Sequence, residues 1–176
     1  MDAIEAIRAR RSVGRLTEPA PTAGDLEVLL EAATAAPDHG RLRPWRFVVL
    51  EGASKDDLGG VLADAYRRRC AEAGVEPDPV FEEKERHKLG RAPMVLVVAA
   101  SPVASEKIPR IEQVLAAGAA AQNVLIAATA LGYGSMWRTG EPAYDPQVKR
   151  ALGLGEDDAI VAFLYLGTIP AGGAGS

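Results

Sequence analysis

Apolar positions along the chain follow two periods, and each predicts a kind of element. Asp2 ahead of Ile4 and Ile7, one helical turn apart, predicts a short capped helix running to about Arg10. Thr22-Ala23-Gly24-Asp25 resembles a capping box, and Leu26, Leu29, Leu30 and Ala33 behind it mark the buried stripe of a second helix that Pro37 stops. Trp45 to Leu50 is a short β-rich run. It leads into a Ser54-capped helix with Leu58, Val61, Leu62 and Ala65 on its apolar face. Met94 to Ala100 is almost continuously aliphatic at strand length, the pattern of a central strand covered on both faces. Arg110 to Leu131 is the longest helical pattern, with little side-chain bulk from Ala117 to Ala121, and Gly132 ends it. Tyr133 to Arg138 predicts a third strand. Asp145-Pro146 opens a helix that Gly153 closes, and Ala159 to Leu166 predicts a fourth strand.

Between Tyr66 and Arg91 the pattern turns charged and reads as a surface excursion whose second half is a solvated helix. No domain boundary falls there. The expectation is one domain over residues 1–170 and a linker-like tail over 171–176. The chain's 176 residues suit that count at roughly 150 per domain.

Composition then removes classes of function. With 24 acidic residues against 20 Lys plus Arg, the net charge of -4 lacks the basic excess of a nucleic-acid binder. Gln122 and Asn123, side by side within Val114–Leu131, argue against a membrane span. The opening residues are acidic where a signal peptide is basic, so a cytoplasmic protein is expected. One cysteine, Cys70, excludes an internal disulfide; read beside Arg69, it is expected to be an inert surface residue. With only His39 and His87 for company it builds no metal site either. Gly132-Tyr133-Gly134 and Gly153-Leu154-Gly155 lack the third glycine of a dinucleotide fingerprint and follow helices, where a terminating glycine belongs.

What remains is an anion-binding pattern in three pieces: Arg10-Arg11-Ser12, Ala36-Pro37-Asp38-His39, and Trp137-Arg138-Thr139-Gly140. Planar guanidinium groups match phosphate oxygens, hydroxyls add short donors, and Trp137 or His39 is left to lie near a flat ring. With Pro44-Trp45, the Met94–Ala100 run, Gly132 to Gly140 and Phe163 to Gly167 in this order, the chain resembles the nitroreductase-like flavoprotein family, specifically its short bacterial members, from about Ile4 to Thr168.

That resemblance implies an α+β fold with a mostly antiparallel central sheet flanked by helices. It further implies an intertwined homodimer with FMN held at each of two interface sites. Arg10, Arg11 and Ser12 are then the N-terminal flavin contacts, with Arg10 and Arg138 on the phosphate. Ala35, Pro37 and His39 belong to the part shared with the partner, and Trp137, Arg138 and Thr139 form the closing segment. The stretch Ala127, Ala128, Thr129, Ala130, Leu131 and Gly132 corresponds to where the short members place a nicotinamide cofactor. Arg43 stands where the family has Gln, and Arg41 where Asn is common; both are expected at the pocket mouth.

The implied activity is hydride transfer from NADH or NADPH through FMN to an electron-poor small molecule, a nitroaromatic, quinone or enone, by ping-pong turnover. The flavin carries the redox chemistry, so no catalytic acid or base is needed from the protein. The alternative is an FMN-binding relative with another redox role, dehalogenase- or dehydrogenase-like, or without nicotinamide turnover.

Overall fold

The computed structural model describes residues 1–172. The expected tail thus lies outside the described residues from 173 onward, while Ala171 and Gly172 form a turn. Helices α1 (Ala3–Ala9) and α2 (Ala23–Thr34) precede strand β1 (Trp45–Glu51); α3 (Ala53–Glu72) and α4 (Pro79–Arg86) lead to β2 (Met94–Ala100). Helix α5 (Arg110–Ala130), β3 (Gly134–Arg138), α6 (Pro146–Ala151) and β4 (Ala159–Gly167) complete the order.

The strands form one sheet in the order β1-β2-β4-β3, every neighbouring pair antiparallel. β2 sits inside, and alternation splits its residues between two cores. Val95, Val97 and Ala99 meet Leu58, Leu62 and Ala65 of α3 and Val148 of α6. Met94, Leu96 and Val98 meet Leu29 and Ala33 of α2 and Ala120, Ala121 and Val124 of α5. Two apolar faces explain why all seven residues of β2 are buried.

Local chemistry sets the helix ends. Asp2 with Glu5, and Thr22 with Asp25, form reciprocal capping boxes at α1 and α2. The Asp25 carboxylate also accepts from the Tyr133 hydroxyl at 2.8 Å, tying the start of α2 to the approach to β3. The Thr22 hydroxyl, then that phenol, hold Asp25 below the usual carboxylate range. Gly132 and Gly153 take φ of 88° and 70° just past α5 and α6, as helix-ending glycines do.

Three expectations are corrected. Gly52, not Ser54, precedes α3; the Ser54 hydroxyl lies in the first turn and exchanges hydrogen bonds with the backbone of Glu51. The charged excursion begins later than Tyr66, because α3 continues through Arg67-Arg68-Arg69 to Glu72. Its end is held by Arg68, whose Nη2 lies 3.1 Å from both carboxylate oxygens of Asp145, the residue that caps α6. Cys70 is buried on α3 rather than at the surface.

Gly59 of α3 faces the end of α4 so closely that a Cβ there would overlap the Arg86 carbonyl oxygen, whereas a Cβ at Gly60 has 4.0 Å to its nearest neighbour. Gly59→Ala is therefore expected to destabilise the fold by about 2 kcal/mol, overpacking outweighing a helix-propensity gain of about 1 kcal/mol. Gly60→Ala keeps only the gain. Opposite shifts of the urea midpoint check the pair; two midpoints moving the same way would show that the α3–α4 approach is not tight.

Candidate functional site

Strand β3 carries one part of the site at an edge of the sheet. By alternation, Ser135 and Trp137 turn toward the α2/α5 layer, and Met136 and Arg138 toward the α3 layer. Trp137 packs against the apolar cluster of α2 and α5. Arg138 instead places its guanidinium carbon 6.0 Å from the centre of the Tyr165 ring. Trp137, Arg138 and Thr139 are thus not one surface.

Arg138, Thr139, Gly140, Lys88 and Tyr165 line a cavity of about 220 Å³. The Tyr165 hydroxyl donates to the Lys88 carbonyl at 3.2 Å, and Lys88 Nζ is paired with Glu85 at 2.6 Å. Burial pushes the Tyr165 phenol up to about 12, against the pull of the Arg138 and Arg91 charges. Arg138 Nε is buried without a protein partner.

The Arg10-Arg11-Ser12 segment runs beside β3: Ser12 bridges to Ser135, and the Val13 N–H donates to the Ser135 carbonyl at 3.0 Å. Arg10 ends α1, half-buried, with Nη1 3.5 Å from Ser12 Oγ. Ser135 Oγ is buried and also lacks a protein partner. Arg11 differs from its neighbour. Its Nη1 donates to the carbonyls of Arg8 at 2.6 Å and Arg10 at 2.9 Å, which ties that nitrogen to the end of α1.

Ala35 ends α2, exposed, and Pro37 is exposed after it. His39 turns its Nδ1 to Glu112 Oε2 of α5 at 2.6 Å. With Pro37, Leu115 and Ala119 these two line an open hollow of about 280 Å³. In the loop that follows, Gly40, Arg41 and Arg43 take φ of 75°, 55° and 48°. The Arg43 N–H donates to Asp38 Oδ2 at 2.6 Å, which helps fix that shape.

The fold bridges the first piece to the start of β3, the strand that leads into the third piece, and keeps the second at the other edge. The His39 loop leads into β1 and Arg138 ends β3, and these are opposite edges of the sheet. Three strand spacings put them roughly 14 Å apart within one chain. Ala127–Gly132 forms the last turn of α5 and the approach to β3, with Ala128 buried and Ala130 and Leu131 exposed. It adjoins the start of β3, whereas Trp137 to Thr139 lie at its other end.

Sequence reasoning missed Ser135, Glu112 and the Tyr165–Lys88 pair. Strand alternation around Trp137 could have picked out Ser135; the other two depend on tertiary packing.

An exposed apolar surface lies next to this site. Ile4 and Ile7 of α1 are 56% and 54% exposed, and Ile111 and Leu115 of α5, the helix α1 packs on, are 61% and 63% exposed. α5 is long and apolar enough to cross a membrane, yet it spends Gln113 on the backbone of Val103 and Ile108 and Asn123 on the Ala32 carbonyl, as a core helix does.

An antiparallel four-stranded sheet between helical layers, with an arginine-serine segment bridged to its edge strand, is the frame of a nitroreductase-like protein. The chain belongs to the nitroreductase family, whose profile matches residues 7–168. It is 40% identical over 168 residues to the Escherichia coli K12 protein named "Putative NAD(P)H nitroreductase YdjA", covering 96% of this chain and 88% of that one. Among solved structures, a nitroreductase-like family protein from Bacillus cereus superposes with a TM-score of 0.80 at 25% identity, over all of this chain and 90% of that one. A nitroreductase with bound FMN from Bacteroides fragilis does so with a TM-score of 0.75 at 26% identity, over 99% and 91%.

Proposed function

We propose that the protein is an FMN-dependent oxidoreductase that works as a homodimer and passes hydride from NADH or NADPH to an electron-poor acceptor such as a nitroaromatic, quinone or enone. The observation that carries this reading is the divided site. Arg10, Ser12 and Arg138 lie on one edge of the sheet and Ala35, Pro37 and His39 near the other. A two-fold axis brings one edge of each chain to the opposite edge of its partner, making two equivalent sites. The exposed apolar face of α1 and α5 adjoins the His39 hollow, and a second copy of the chain would cover it.

The residues present fit a flavin mononucleotide. Arg138 Nε, buried beside the cavity at the end of β3, has no protein partner. Buried groups of this kind are nearly always satisfied, so a polar ligand at this edge answers the deficit. Arg10, Ser12 and Arg138 would hold the flavin from one chain, and the loop around His39 would close on it from the other. When bound, FMN would supply the redox chemistry of hydride transfer between nicotinamide and acceptor. The chain's own work is to bind, orient and shield. Reductant and acceptor use one place in turn, which makes turnover ping-pong.

The test is anaerobic. Protein purified with FMN is expected to be yellow, to bleach on mixing with NADH or NADPH, and to regain its colour with a quinone or nitroaromatic. A protein that takes up no FMN would overturn the reading, as would bound FMN that neither nucleotide reduces.

A further inference from the structure

Two arginines of the loop before β1 take no part in the site described so far. Arg41 and Arg43 are exposed, and among the described residues neither makes an ion pair with a carboxylate. Both occupy the left-handed region, with φ of 55° and 48°, where Arg is strained and Gly or Asn is not. Together with Thr34, Ala36, Asp38 and Trp45 they line a hollow of about 300 Å³. Asp38 lines the same hollow, its Oδ2 accepting from the Arg43 backbone N–H at 2.6 Å, and its single negative charge leaves the two arginines with a net positive charge. The Thr34 hydroxyl is occupied too, donating to the Glu31 carbonyl at 3.1 Å, so the guanidinium groups remain the free donors facing this space.

We infer that Arg41 and Arg43 form a subsite for the 2′-phosphate of NADPH, which makes NADPH the preferred reductant. The inference deepens the proposed function and rests on it. Two neighbouring planar guanidinium groups suit a phosphate monoester, which offers three oxygens and nearly two negative charges. NADH offers a neutral hydroxyl there. The half-buried indole of Trp45 supplies an apolar wall to the same hollow, against which a purine can lie. The loop directly follows His39, so the subsite stands at the rim of the flavin site. Backbone strain kept at two unpaired cations fits a ligand-facing role better than a packing one.

The test replaces both residues by Asn, which accepts the left-handed backbone and removes the charge. Calorimetry on FMN-loaded protein compares 2′,5′-ADP with 5′-AMP, a pair that differs by this phosphate alone. The wild type is expected to bind 2′,5′-ADP at least about tenfold more tightly, by an advantage that shrinks at high salt. Arg41→Asn/Arg43→Asn is expected to bring the two affinities within about twofold while keeping its FMN. Equal binding by the wild type would overturn the inference. So would a preference that survives in the variant, or a loss of FMN from it, which would put these arginines on the flavin. Nicotinamide reduction of the flavin is followed separately: if neither NADH nor NADPH bleaches it, the proposed function fails, while the calorimetry still decides the subsite.

Discussion

Leu115→Glu is expected to give a chain that folds, sediments as a monomer and loses its FMN. Leu115 is 63% exposed on α5, so within one chain the substitution touches little, and such surface changes alter stability by about 0.5 kcal/mol or less. Its effect falls on assembly. Leu115 lines the hollow of His39 and Glu112 and belongs to the apolar surface shared by α1 and α5. In a two-fold interface the new carboxylate would be buried twice, in a hollow that already holds Asp38 and Glu112. Even at the low end, about 1.5 kcal/mol for each desolvated charge, association weakens by at least about a hundredfold. On the proposed function, in which the flavin site draws on both chains, FMN affinity falls with it. Sedimentation equilibrium with absorbance in the flavin band reads both quantities. A variant that stays dimeric and yellow would move the interface off this face.

How much of this could be read from the sequence depends on where the determining contacts lie. Elements fixed by neighbours along the chain were legible. The Thr22–Asp25 capping box, the helix-ending Gly132 and Gly153, and the aliphatic run of β2 each carry their structure within a few residues. Features fixed across the fold were not. Charged residues at the end of α3 read as loop, because the Asp145 that holds Arg68 is 77 positions away. Arg11 looked equivalent to Arg10, yet its position one residue on turns it back onto α1. The edge-to-edge separation of His39 from Arg138 follows from strand order, which no motif spacing encodes. The three anion-binding pieces supplied the residue types proposed for the site, not their placement on the sheet.

Arg138→Met is expected to move two quantities in opposite directions: flavin-free protein gains stability and FMN binding weakens. The guanidinium of Arg138 lies over the Tyr165 ring, with Nε buried and lacking a protein partner. A buried donor left unmade costs about 1–3 kcal/mol, so without flavin this arginine is a liability that an apolar side chain of similar length removes. A gain of about 1 kcal/mol remains after the lost stacking on Tyr165 is counted. On the proposed function the same donor gains a partner when FMN binds, and losing one charge-assisted contact of about 1.5–3 kcal/mol raises the dissociation constant about ten- to a hundredfold. Arg138→Lys keeps the charge but not the planar donors and is expected to fall between. Chemical denaturation of the flavin-free proteins and equilibrium dialysis of FMN measure the two sides. Lower stability with unchanged FMN affinity would assign Arg138 to packing against Tyr165 alone, and the site would then rest on Arg10 and Ser12.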